Sequence, residues 1–161
     1  MTKILGCVTL YLVTKEGEIM KIYLSSPFFN QEEIDNMRQA QKILENRDFD
    51  VFVPMDILIQ NTNETQWAEQ MFQADKTGID ECDLVVLLYY GLYSDSGTAW
   101  ECGYAFAKNK PVVVVHCQNT QKNNLMVVFG AAANLENIDE LQTYDFENIS
   151  KTDFYGHTSL S

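Results

Sequence analysis

Short apolar runs alternate with amphipathic stretches along most of this chain. Ile22-Tyr23-Leu24 is one such run after Lys21, ended by Ser25-Ser26-Pro27. From Gln31 to Glu45, residues Ile34, Met37, Ile43 and Leu44 recur at helical spacing, the stripe an amphipathic helix buries. Val51-Phe52-Val53 reads as a second strand, stopped by Pro54, whose missing N–H and fixed φ interrupt a ladder. Residues 55–64 read as a polar loop, and Thr65 to Asp80 as a helix with Glu and Gln on its outer face. Leu84 to Tyr90 is apolar without alternation, as in a strand covered on both faces of a parallel sheet. Gly91 to Ser96 is a loop, Gly97 to Lys108 a helix, and Val112 to His116 a fourth buried strand. A short helix near 124–132 and a weak strand near 134–138 complete the series.

Strands alternating with helices predict an α/β fold: a doubly wound, flavodoxin-like five-stranded parallel sheet with helices on both faces. Ligands in such sheets bind at the carboxyl ends of the strands. Those ends are Ser25 to Phe29, Pro54 to Asp56, Tyr90 to Ser96 and Cys117 to Asn124. No GxGxxG follows the first strand and no GxxxxGK[ST] occurs, so dinucleotide and P-loop binding lose their usual signatures.

The opening residues stand apart. Ile4 to Val13 is an apolar run of ten behind Lys3, too short to span a bilayer. Thr14-Lys15-Glu16-Gly17-Glu18 follows it, where a signal peptide would carry small residues for cleavage. Two readings remain. One is a β-hairpin, with a strand to Val13, a turn at Lys15-Glu16-Gly17 and a return from Ile19. The other takes Met20 as the natural start. Residues 1–19 are thus an N-terminal extension of unassigned structure, and 20–161 form one domain.

Composition narrows the function. The 161 residues carry a formal net charge of −12, with 46% apolar and 12% aromatic residues. That is enough apolar material for a single core. The acidic balance disfavours nucleic acid and anionic membrane surfaces as partners. It leaves a neutral small molecule open. Cys7, Cys82, Cys102 and Cys117 show no CxxC spacing, and His116 and His157 are the two histidines. No metal site and no cofactor are expected. The cysteines read as reduced thiols in a cytoplasmic protein.

Carboxylates gather near the strand ends. Asp95 lies in the loop after the third strand. Glu101 lies about one turn into Gly97-Thr98-Ala99-Trp100-Glu101-Cys102-Gly103-Tyr104-Ala105, among small residues and a Trp. A loop or N-cap role would account for Asp95, but apolar neighbours make that reading weaker for Glu101. Asp75, beside Lys76, also reads as an exposed helical acid paired with a nearby lysine. Two carboxylates flanking one bond are what glycosidic cleavage requires: one attacks the anomeric carbon and the other protonates the leaving group.

From Lys21 to about Phe154 the chain resembles the nucleoside 2-deoxyribosyltransferase family. Lys21-Ile22-Tyr23-Leu24-Ser25-Ser26-Pro27-Phe28-Phe29 is similar to its opening strand and base-stacking loop. Ala74-Asp75-Lys76-Thr77-Gly78-Ile79 and Asp95 match its two base-binding aspartates, and the segment around Glu101 matches the one holding its nucleophile. Asn124-Leu125-Met126 resembles a sugar-contacting motif that reaches into a neighbouring subunit's site.

The resemblance implies nucleotide salvage. Glu101 would form a covalent deoxyribosyl intermediate, with net retention after transfer to an acceptor purine or pyrimidine base. Tyr23 would orient Glu101. Asp95, backed by Asp75, would protonate the base, its pKa raised by the neighbouring carboxylate. Phe29 and Trp67 would pack around the base, Asp56 would lie in the base region, and Asn124 and Met126 would serve the sugar side. For the aromatics, ordinary core packing is the competing reading. A homohexamer is implied, with Asn124 completing a neighbouring site. The alternatives are a 2′-deoxynucleoside 5′-monophosphate N-glycosidase, with Ser25 and Ser26 as phosphate donors, and a non-catalytic nucleotide-sensing domain. The tail Gly156 to Ser161 departs from the family pattern.

Overall fold

The computed structural model describes residues 18–60, 63–92, 94–118 and 122–150, and the backbone of 159–160. Cys7, His157 and the apolar run Ile4 to Val13 lie outside them. In chain order the elements are β1 (Lys21–Ser25), α1 (Gln31–Glu45), β2 (Asp50–Phe52), a 3-10 turn (Pro54–Asp56), α2 (Glu64–Glu81), β3 (Leu84–Tyr89) and α3 (Ser96–Ala107). Then come β4 (Val112–His116), β5 (Lys122–Asn123), α4 (Leu125–Gly130), β6 (Ala133–Leu135), a second 3-10 turn (Ile138–Gln142) and β7 (Ser159–Leu160).

Five strands form one all-parallel sheet in the order β2-β1-β3-β4-β6. The chain leaves β1 first toward β2 and then returns past it to β3, so the topological switch lies between β1 and β3. This is where a doubly wound sheet opens a crevice for a ligand. β1 pairs with β2 on one side and β3 on the other, so it offers no free edge to a preceding strand. The hairpin expected through Val13 and Lys15-Glu16-Gly17 lies outside the described residues. β5 and β7 form a separate two-residue parallel ladder that brings the tail's Ser159–Leu160 alongside the approach to Asn124.

Strand alternation splits the core in two. Ile22 and Leu24 of β1 face α1, whose Met37, Ala40 and Leu44 pack with Val86, Leu88, Val113, Val115 and Leu141. Tyr23 faces the other way, into a cluster with Ile79 of α2, Cys102 and Ala105 of α3, Val127 of α4 and Val85, Leu87 and Val114 of the sheet. Among the described residues, each of the four α-helices begins on an Asn or Asp side chain that accepts a backbone N–H: Asn30, Asn63, Asp95 and Asn124. These caps satisfy donors that the first turn leaves without partners.

Candidate active site

Because residues i and i+2 of a strand share a face, Tyr23 and Ser25 both point toward α3. Both meet Glu101 there. The Tyr23 hydroxyl donates to Glu101 Oε1 at 3.0 Å, and the Ser25 hydroxyl donates to Oε2 at 2.5 Å. Tyr23 and Ser25 are fully buried. Burial pushes the Glu101 carboxyl up to about 7. The two hydroxyls oppose that push, and the charges of Asp75 and Asp95 add to it. Burial, together with the charges of Glu101 and Asp75, raises the Tyr23 phenol well beyond its ordinary value, so it stays a donor.

Asp75 enters from α2. It shares a helix face with Gly78 and Ile79, three and four residues on, and both of those are buried. Gly78 is the contact point: a Cβ there would lie 2.8 Å from the Phe52 ring and 3.0 Å from the Tyr23 ring, which themselves stack at 5.4 Å. Asp75 is not paired with its neighbour Lys76, which instead bonds Asp80 at 2.7 Å. Asp75 Oδ1 is buried without a hydrogen-bond partner. Its carboxyl is pushed up to about 6 by burial.

Asp95 accepts the Thr98 N–H through Oδ2 at 2.9 Å, capping α3. Gly97 makes room for it: a Cβ at that position would lie 2.7 Å from Oδ2. Asn124 caps α4 by accepting from Met126 N at 2.9 Å, and its own N–H donates to the Tyr89 hydroxyl at 2.8 Å. Both residues thus have a structural task at a helix start beside the strand ends.

The remaining expected residues sit farther out. Phe29 is 75% exposed and stacks on Phe28; Trp67 is 48% exposed on α2. Neither is core, so ordinary packing does not account for them. Met126 is 75% exposed in the first turn of α4. Asp56 is held by Arg38 of α1 through two hydrogen bonds of 2.6 and 2.8 Å, which keep its carboxyl below the usual range. An apolar groove of about 520 Å³ runs between β2 and α2, lined by Phe52, Gln73, Thr77 and Gly78, but Glu101 does not line it. Ser25 is the residue whose place the sequence under-read. Its signal was the two-residue step from Tyr23. Among the described residues no group of three or more His, Cys, Asp or Glu could hold a metal.

A parallel sheet with a hydroxyl-held carboxylate at its switch point defines an α/β protein of the doubly wound class. Its kinship is specific. The family model for nucleoside 2-deoxyribosyltransferase matches residues 22–147, and the chain belongs to that family. A curated nucleoside deoxyribosyltransferase from Lactobacillus johnsonii is 29% identical over 94 residues, covering 58% of this chain and 62% of that relative, so the chain spans about three fifths of its length. The structure is similar to that of the 2-deoxyribosyltransferase from Bacillus psychrosaccharolyticus, with a TM-score of 0.75 and 29% identity, covering 82% of this chain and 98% of that one. A conserved protein from Enterococcus faecalis V583 aligns with a TM-score of 0.53 and 28% identity, over 65% of this chain and 67% of that one.

Proposed function

We propose that this chain is a nucleoside 2-deoxyribosyltransferase that moves 2-deoxyribose between nucleobases through a covalent deoxyribosyl-Glu101 intermediate. The observation that carries the reading is a buried carboxylate held by two hydroxyl donors and electrostatically coupled to a second carboxylate with an unpartnered oxygen.

In this mechanism a Glu101 oxygen attacks C1′ of a 2′-deoxynucleoside. The C1′–N bond breaks and its electron pair goes to the base, which takes a proton from the Asp95 and Asp75 side. An acceptor base then attacks C1′ from the vacated face, the C1′–O bond breaks, and the acceptor returns a proton to the same aspartates. Two inversions give net retention. Phe29 and Trp67 flank the base, Asn124 and Met126 serve the sugar, and Asp56, through Arg38, borders the base side. No cofactor takes part. A ribose 2′-hydroxyl would hydrogen-bond Glu101 and disfavour the cationic transition state, so deoxynucleosides are the substrates. Ribonucleosides turning over equally fast would remove that explanation.

A 5′-monophosphate hydrolase is less well supported. The Ser25 proton is committed to Glu101 and that of Ser26 to the Pro27 carbonyl, so neither hydroxyl is free to donate to a phosphate. A homohexamer is proposed from the resemblance, and Phe72, Trp100 and Phe129 on the α2–α3–α4 side are large exposed apolar side chains that a second copy would cover. A cytoplasmic location is proposed on the free thiols of Cys82, Cys102 and Cys117; no described helix is long and apolar enough to cross a membrane.

The deciding experiment incubates the protein with thymidine and adenine. Deoxyadenosine and thymine are the expected products. Free thymine without deoxyadenosine indicates hydrolysis, and no turnover rejects the reading for this substrate pair. Glu101→Ala is expected to abolish transfer while leaving the fold intact.

A further inference from the structure

Two hydroxyls hold Glu101, and only that of Tyr23 was expected to orient it. Ser25 is fully buried at the carboxyl end of β1, where it pairs with Leu87 of β3. Its side chain has a single rotatable carbon–carbon bond and ends on Glu101 Oε2 at 2.5 Å, half an ångström closer than Tyr23 lies to Oε1.

We propose that Ser25 is a positioning residue for Glu101, fixing Oε2 so that Oε1 is the attacking atom and favouring the ionised carboxylate in the empty site. This rests on the reading of Glu101 as nucleophile. The more loosely held Oε1 forms the bond to C1′ as the C1′–N bond breaks. Oε2 becomes the carbonyl oxygen of the resulting ester and keeps its Ser25 proton donor. When the acceptor base attacks, the C1′–Oε1 bond breaks and negative charge returns to a carboxylate whose second oxygen is already hydrogen-bonded. Ser25 thus favours the charged form at the start of the first step and at the end of the second.

The groups facing Glu101 are Tyr23 and Ser25 from β1, Asp75 from α2 and Asp95 from the loop before α3. The hydroxyls pull its pKa down, Ser25 ahead of Tyr23; burial and the two aspartates push it up. A donor to the charged form lowers an acid's pKa. Removing it therefore raises the titration of Glu101, whereas loss of packing alone would lower activity evenly at every pH.

The test titrates Glu101 directly by carboxyl carbon NMR in protein labelled at glutamate, with Glu101→Gln assigning the resonance. Ser25→Ala is expected to move the midpoint up by about one pH unit, and Ser25→Thr, which keeps a hydroxyl, to restore most of it. Ser25→Cys, a weaker donor of similar shape, is expected to fall between and covers the case in which the alanine variant does not fold. A folded Ser25→Ala or Ser25→Cys protein with the wild-type midpoint overturns the proposal. The thymidine–adenine assay is run in parallel. The acid limb of kcat/KM should follow the NMR midpoint, with kcat reduced more than KM. An NMR shift in a protein with no transferase activity would retain the Ser25–Glu101 link and reject the proposed function.

Discussion

At Glu101, three opposing influences set one proton's affinity. Burial disfavours the charge, two hydroxyls favour it, and two aspartates disfavour it again. The net result near 7 means that the free protein loses its ionised nucleophile as pH falls. A falling acid limb in kcat/KM below about 7 is expected, measured as a pH–rate profile. The same shift bears on stability. A carboxyl whose folded pKa is raised binds its proton more tightly in the folded state. Its contribution to folding is fully present below the unfolded value and fades as pH rises through the folded values, about 7 for Glu101 and about 6 for Asp75. Glu101→Gln should therefore lose transfer by more than roughly a thousandfold and yet melt higher than wild type. By the linkage relation that gain is about 1–3 kcal/mol at pH 8 and shrinks toward pH 5. Thermal melts at the two pH values check it. Asp75 shows where local pattern misleads. An acid beside a lysine reads as an ion pair, but adjacent residues on a helix point in different directions, and Lys76 finds Asp80 one turn on.

Among the elements, α2 carries Asp75 and α3 carries Glu101, and both pack on the strand that carries Tyr23 and Ser25. Asp80 of α2 ties them together, bonding Lys76, Lys108 and the Tyr104 hydroxyl of α3. The closest approach is Gly78 against the Tyr23 and Phe52 rings. Gly78→Ala gains about 1 kcal/mol of helix propensity but overpacks a site worth about 1–3 kcal/mol. The expected result is a lower Tm, together with a loss of kcat larger than any change in KM, because Tyr23 is displaced from Glu101. Paired melting and kinetic measurements test both. Element bounds were largely legible. α1 runs from Gln31 to Glu45 as its stripe predicts. α2 begins at Glu64 and ends at Glu81, one residue beyond the predicted span at each end, because Asn63 caps it. Met55 and Asp56, read as the start of a polar loop, instead complete a 3-10 turn that begins at Pro54. What could not be read locally is the pairing of Asp56 with Arg38, which depends on α1 packing beside β2. The contact of Tyr23 with Glu101, 78 residues apart, required the sheet order as well.

For the whole molecule, the strong negative charge sits easily with the neutral nucleoside proposed as ligand. Large apolar side chains on the α2–α3–α4 side predict association. Trp100, 45% exposed and stacked on Tyr104, is a good probe: Trp100→Glu should reduce the sedimentation mass if this side is covered by a second copy. The two cores have different standing. The one under α2 and α3 contains Tyr23, which bonds the proposed nucleophile, while the one under α1 contains no proposed site residue. Leu44→Ala, in the α1 core, should cost about 2–5 kcal/mol without changing the rate per folded molecule, as active-site titration against denaturant melts would show. The sheet therefore acts as a partition between constrained and unconstrained sequence. For anyone engineering a hardier variant, the buried core under α1 is the place to randomise, with Arg38 kept for its hold on Asp56: substitutions at Met37, Ala40 and Leu44 can accumulate under selection for heat tolerance alone.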